Sequence, residues 1–206
     1  LLKKANTSRV NTKSSPAFCF EKPQKRDIMQ HTRDLIVSDD LIPKYFFNRI
    51  TDITPADLND MGAKAVAIDV DNTVSYDGAF HLFHGVRDWV KRLKAAGIGV
   101  IILTNTYKFR AKLFSRLLGD IPYIAEADKP KERSFKKAAQ MLGVDVSELA
   151  MAGDQLFTDI RGANNAGAIP IRIKYRAPEI LFYIHYKHLR AKEKKFLRDK
   201  GYGDKV

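Results

Sequence analysis

Two aspartates one residue apart, Asp69 and Asp71, stand where the apolar run Ala65-Val66-Ala67-Ile68 gives way to the polar pair Asn72-Thr73. Alternate residues of an extended strand share a face, so the two carboxylates are expected side by side where the strand ends. Placed there they repel one another and attract a divalent cation. That combination suits metal-assisted attack on an anionic substrate, one carboxylate acting as nucleophile and the other moving protons. An Asp-Asn pair after a strand also makes an ordinary turn, so the chemistry of the other strand ends has to decide.

The elements that must position such a pair alternate along the chain. Thr54-Pro55-Ala56-Asp57-Leu58 reads as a helix start, with Thr54 as N-cap, Pro55 at the first helical position and Gly62 closing the helix. His84 to Ala96 carries Val86, Trp89, Val90 and Leu93 at helical spacing, and Ile98 to Leu103 is a continuous apolar run of the buried parallel-strand kind. Helices are then expected over Tyr107 to Leu118, Arg133 to Leu142 and Leu156 to Ala166, and strands over Pro122 to Ala125, Leu149 to Ala152 and Ile169 to Ile173. Strands alternating with helices of this length predict an α/β fold, a doubly wound and mainly parallel Rossmann-like sheet with right-handed crossovers.

Ligands in such sheets bind beyond the carboxyl ends of the strands. Those ends read Asp69-Val70-Asp71-Asn72-Thr73, Thr104-Asn105, Asp128-Lys129-Pro130 and Gly153-Asp154, with Asp159 five residues later. The set holds a carboxylate pair, a hydroxyl and an amide for binding oxygen, a lysine for negative charge and a further carboxylate for a cation. It is a kit for phosphoryl transfer. Taken singly, Thr104-Asn105 would cap a helix and Lys129 is one lysine among many; at the ends of successive strands they form a set.

In order and content these four stretches resemble the motifs of the haloacid dehalogenase-like (HAD) phosphohydrolases. The Asp-Asn-Thr form of the first motif, the stretch Gly153-Asp154-Gln155-Leu156-Phe157-Thr158-Asp159 and the lead Ile50-Thr51-Asp52-Ile53-Thr54-Pro55 look, more narrowly, like the YqeG group, which is related to the mitochondrial and plastid phosphatidylglycerophosphatases. The resemblance runs from about residue 41 to the C-terminus. It implies that Asp69 attacks phosphorus to form an aspartyl-phosphate, and that Asp71 protonates the leaving oxygen and then deprotonates water. Thr104, a backbone amide beside it and Lys129 would bind the phosphoryl oxygens, with Asn105 binding substrate or shaping its loop. Mg²⁺ is the implied cofactor, held by the side chains of Asp69 and Asp154 and the backbone carbonyl of Asp71, with Asp159 orienting the loop or a metal-bound water.

Between Thr73 and His84 lie about ten residues, and one helix and one strand account for the stretch from Lys129 to Gly153, so no cap domain is expected. An open site suits a large or surface-bound phosphomonoester better than a small metabolite that must be enclosed. The charge distribution bears on the same point. The formal net charge of +12 resides mostly in the flanks, with +5 over residues 1–34, +1 over 35–173 and +6 over 174–206. Residues 1–40 read as a basic, disordered lead of tail-like or transit-peptide-like composition, 41–175 as the phosphatase domain, and 176–206 as a basic helix or tail.

A helix from Glu179 to Lys200 would carry Phe182, Tyr186, Leu189 and Phe196 on one side and Lys187, Arg190, Lys192, Lys194, Lys195, Arg198 and Lys200 elsewhere. Two roles fit it: packing its stripe on the sheet, or lying at an anionic membrane surface. The cluster from Leu41 to Ile50 has the same two readings. An anionic phospholipid, phosphatidylglycerophosphate, is the favoured substrate, with a phosphoprotein or nucleic-acid end and an RNA-binding adaptor on the same scaffold as alternatives. A cytoplasmic protein peripheral to the inner membrane face of a bacterium is expected, or one of the mitochondrial matrix or plastid. The single cysteine, Cys19, excludes an intrachain disulfide framework and a cysteine-built zinc cage.

Overall fold

The computed structural model describes residues 39–174 and 183–203. Six strands form one sheet in the order β1-β6-β5-β2-β3-β4, and every neighbouring pair is parallel. They are β1 Tyr45–Phe47, β2 Ala65–Ile68, β3 Gly99–Leu103, β4 Tyr123–Ile124, β5 Leu149–Gly153 and β6 Ile169–Ile173. The helices between them are α1 Pro55–Asp60, α2 Val86–Ala95, α3 Lys108–Leu117, α4 Glu132–Leu142 and α5 Arg161–Ala166, followed by α6 Tyr183–Asp199.

Side-chain alternation along the central strands divides the core between two faces. Val66 and Ile68 of β2, with Val100 and Ile102 of β3, meet Trp89, Val90 and Leu93 of α2 and Phe114 of α3 on one side. Ala65 and Ala67, with Ile101 and Leu103, meet Phe135 and Ala138 of α4 and Ala163 and Ala166 of α5 on the other. The alanines allow these helices to approach closely. Burial of Trp89 costs no hydrogen bond, because its indole N–H donates to the Ile53 carbonyl at 2.7 Å. Thr54 caps α1 as its sequence predicts: its hydroxyl accepts from the Asp57 N–H at 3.1 Å, and the Asp57 carboxylate accepts from the Thr54 N–H at 2.8 Å.

Three local expectations change. The aromatic cluster after Leu41 is a strand, β1, paired to β6 at the sheet edge, with Leu41 and Ile50 buried. The helix expected from Leu156 begins with a π-helical turn, Leu156–Ile160, and only α5 is α-helical. The C-terminal helix turns Arg190, Glu193, Phe196 and Leu197 inward, where Phe196 and Leu197 pack with Leu41, Leu156 and Ile160. Arg190, read from sequence as part of an outer basic face, is therefore buried, whereas Lys187, Lys192, Lys194 and Lys195 are exposed. Phe182 and residues 1–38 of the expected basic lead lie outside the described residues, as do the side chains of His185 and Tyr186. Among the described residues no cap domain interrupts the sheet, and no helix is long and apolar enough to cross a membrane.

Candidate active site

The strand order places the chemistry. From β2 the chain proceeds to β3 and β4 on one side, then returns to the other side of β2 with β5. The strand order therefore reverses beside β2, and a crevice opens at such a switch point beyond the strand ends. Asp69 and Asp71 follow β2, Thr104 follows β3, Lys129 follows β4, and Asp154 follows β5. Asp69, Asp71, Thr104, Asn105 and Lys129 line one cleft of about 420 Å³. Asn72, at φ 55°, turns the chain after the aspartate pair in a left-handed conformation that asparagine tolerates better than most residues.

Lys129 is the hub. Its buried ammonium lies 2.9 Å from Asp69 Oδ1 and 2.5 Å from Asp159 Oδ1. Burial alone would lower its proton affinity, but the charges of Asp159 and Asp69 overcome that and hold it protonated above the usual lysine value. Asn105 fixes the lysine's backbone: its Oδ1 accepts from the Lys129 N–H at 2.8 Å and its Nδ2 donates to the Lys129 carbonyl at 3.1 Å. Both ends of the amide are engaged, so Asn105 shapes the loop. The Thr104 hydroxyl, buried beside it, accepts from the Thr106 N–H at 3.3 Å and keeps its own proton to donate.

Asp69, Asp154 and Asp159 bring one carboxylate oxygen each to within 4.8 Å of one another, and all three are buried. Asp154 Oδ1 is buried without a hydrogen-bond partner. Burial, followed by the nearby charges of Asp159 and Asp69, pushes the Asp154 carboxyl up to about 8 although Arg190 beside it acts in the opposite direction. Asp159 is likewise raised by burial, with Lys129 opposing. Converging hard oxygens, one of them unsatisfied, suit a hard divalent cation. Gly153 makes the cluster possible, since a Cβ at that position would overlap the Asp159 carboxyl group.

Asp71 points elsewhere. The carboxylates that cluster are therefore Asp69, Asp154 and Asp159, where the resemblance implied Asp69 and Asp154 as side-chain ligands with Asp159 behind them, and the oxygen it implied for Asp71 is that of its backbone. Arg110 Nη1 lies 2.6 Å and 2.8 Å from the two Asp71 carboxylate oxygens, and the Gly78 N–H donates to Oδ1 at 3.2 Å. Burial, then the charge of Asp69, pushes the Asp71 carboxyl up to about 6 in spite of Arg110. A group near 6 can hold a proton in one step and release it in the next.

Sequence reasoning missed Arg110, Arg190 and Glu193. Arg190 Nη2 is paired with Asp154 Oδ2, and its Nη1 donates to Glu193 at 2.8 Å and to the Asp154 carbonyl at 3.2 Å. Glu193 also accepts from the Leu156 N–H at 2.6 Å, so α6 braces the loop that carries Asp154. No spacing announces these pairs, although Glu193 is an acid in an otherwise basic stretch.

A parallel sheet with an Asp-x-Asp strand end, a threonine, a lysine and a later acidic cluster defines a class of phosphohydrolase, and the chain belongs to it: residues 45–167 match the haloacid dehalogenase-like hydrolase family. Among curated proteins it is 34% identical over 126 residues to the Bacillus subtilis protein named Probable phosphatase YqeG, covering 61% of this chain and 73% of that protein. It is also 33% identical over 99 residues to the glyceraldehyde 3-phosphate phosphatase of Pyrococcus abyssi, where it spans 42% of that relative's length. Among solved structures, the cobalt-bound deoxy-D-mannose-octulosonate 8-phosphate phosphatase of Haemophilus influenzae aligns at TM-score 0.45 and 20% identity, over 69% of this chain and 92% of that one. The family and its phosphatase relatives support phosphatase activity.

Proposed function

We propose that the chain is a Mg²⁺-dependent phosphomonoesterase that removes the terminal phosphate of phosphatidylglycerophosphate at a membrane surface. The observation that carries the chemistry is the division of labour around the aspartate pair: Asp69 is held against Lys129 in the acidic cluster, and Asp71 is held apart on Arg110. An Asp69 carboxylate oxygen attacks phosphorus as the ester P–O bond breaks, and the leaving oxygen takes the proton of Asp71. Asp71 then accepts a proton from water, whose oxygen attacks phosphorus and releases Asp69. Lys129 and the Thr104 hydroxyl bind the non-bridging oxygens, and Lys129 pairs with the attacking carboxylate of Asp69. Asp69, Asp154 and the Asp71 backbone carbonyl would hold the ion, with Asp159 beside them. When bound, the ion supplies charge neutralisation for the phosphoryl oxygens.

The lipid is favoured by a cleft that no cap covers among the described residues and by the excess of basic residues in the flanks. Phosphate release should be compared among vesicles containing phosphatidylglycerophosphate, phosphopeptides and 3′-phosphorylated oligonucleotides, each with Mg²⁺ and with chelator. Release from the vesicles alone, abolished by chelation, is the expected result. Activity confined to either of the other substrates overturns the lipid assignment.

A further inference from the structure

Phe80, Tyr107 and Phe109 stand at the mouth of the cleft, 56%, 69% and 65% exposed, among the few large apolar side chains so placed. They form a continuous row: the rings of Phe80 and Phe109 stack with centroids 6.4 Å apart, and those of Tyr107 and Phe109 at 6.2 Å. All three line the same cleft as Asp69 and Lys129. The row is held in place. Arg110, one residue beyond Phe109, donates from Nε and Nη2 to the Ala79 carbonyl at 3.0 Å and 2.9 Å, and from Nη2 to the Tyr76 carbonyl at 3.3 Å. This fastens the loop bearing Phe80 to α3 and brings its ring against Phe109.

We propose that this aromatic row is a collar that seats the mouth of the site on an anionic lipid surface, a proposal that rests on the lipid phosphomonoesterase reading and deepens it. Rings that remain exposed in the folded chain lose water when they enter the headgroup region, and aromatic side chains are favoured at that depth. The charge of α3, which bears Phe109, is complementary to such a surface, although Asp77 lines the cleft on the side of Phe80. From Thr104 to Gly119 there is no acidic residue, and Lys108 and Lys112 on α3 are exposed, whereas Arg110 is already paired with Asp71. Lysines close to an anionic leaflet add attraction that salt weakens. Seated in this way, the cleft opens onto the headgroup plane, where a phosphate tethered to lipid lies.

The test uses the full chain and two double variants, Phe80→Ser with Phe109→Ser, and Lys108→Glu with Lys112→Glu, each checked by thermal melting. Binding is read by co-sedimentation with vesicles of equal parts phosphatidylcholine and phosphatidylglycerol, neither being the proposed substrate, and with phosphatidylcholine alone. Activity is read as the ratio of phosphate release from phosphatidylglycerophosphate in those vesicles to release from soluble p-nitrophenyl phosphate. The parent should bind the anionic vesicles more tightly, and each variant should lower binding and the activity ratio about tenfold. Equal binding and an unchanged ratio in both folded variants overturn the collar. So does a collar variant that loses single-stranded RNA binding while keeping the vesicles, or one that dissociates a dimer seen by light scattering. Vesicle binding lost in the variants, with no phosphatidylglycerophosphate hydrolysis by the parent, supports the collar and removes the substrate. Hydrolysis of the lipid equal in parent and variants retains the substrate and removes the collar.

Discussion

Arg190 of α6 grips Asp154 twice, through the Oδ2 carboxylate oxygen and through the main-chain carbonyl, while the other carboxylate oxygen stays buried without a partner. A side chain 36 residues further along the chain thus orients a carboxylate of the cation cluster. Removing one partner from a buried charge pair costs on the order of 3–5 kcal/mol, because the other charge is left uncompensated. Arg190→Met leaves Asp154 without its guanidinium and Glu193 with the more distant Arg172, at 3.9 Å. Urea denaturation should show a loss of about that size, partly recovered when Glu193→Gln is added. Mg²⁺ binding at neutral pH, followed by calorimetry, should weaken in the single variant, since Arg190 is the charge that holds the Asp154 carboxyl down.

The Asp71–Arg110 pair gives an expectation in pH. With its carboxyl near 6, Asp71 loses the proton needed by the leaving oxygen as pH rises above that value, so kcat/KM should fall on the alkaline side. Arg110 lowers the Asp71 value, and its removal therefore raises it. In Arg110→Gln the alkaline limb should move up by about one pH unit. A limb that stays in place would assign the proton to another group.

Metal removal should invert the pH dependence of stability. Asp71 and Asp154 hold protons more tightly folded than unfolded, with values near 6 and 8 against 3.8 for the ordinary aspartate. Their contribution is fully present below the unfolded value and is lost as pH rises through the folded values. Chelated protein should therefore melt at progressively lower temperature between about pH 5 and about pH 9. A divalent cation replaces the proton of Asp154, so Mg²⁺ should restore most at the alkaline end, and its binding should release protons, seen as a buffer-dependent heat.

Asp69→Asn separates enzyme from scaffold. Loss of the attacking carboxylate should reduce turnover by about a thousandfold or more, with the fold retained, because the amide still fills the space beside Lys129. A cellular role untouched by this variant would assign that role to binding alone.

The amino-acid sequence by itself determines the alternation of strands and helices and the four polar strand ends. Both are local: apolar runs such as Val66 to Ile68 and Val100 to Leu103 can only be buried strands here, and residues just past a parallel strand end emerge at one edge of the sheet. That is why Asp69, Asp71, Thr104, Lys129 and Asp154 were legible without coordinates. β1 was less so, because three half-buried residues carry too short a pattern and become a strand only through pairing with β6.

The partners of the carboxylates were decided by the tertiary structure alone. Arg110 and Arg190 occur in basic stretches where every cation looks alike, and what selects them is helix rotation: the apolar residues on the same helix faces, Phe114 and Leu197, must face inward, which carries these arginines inward with them. Once buried, an arginine requires an anion: Arg110 meets Asp71, and Arg190 meets Asp154 and Glu193. Sequence thus specified which groups stand at the strand ends. Only packing over 36 to 39 residues of separation set which arginine faces Asp71 and which faces Asp154.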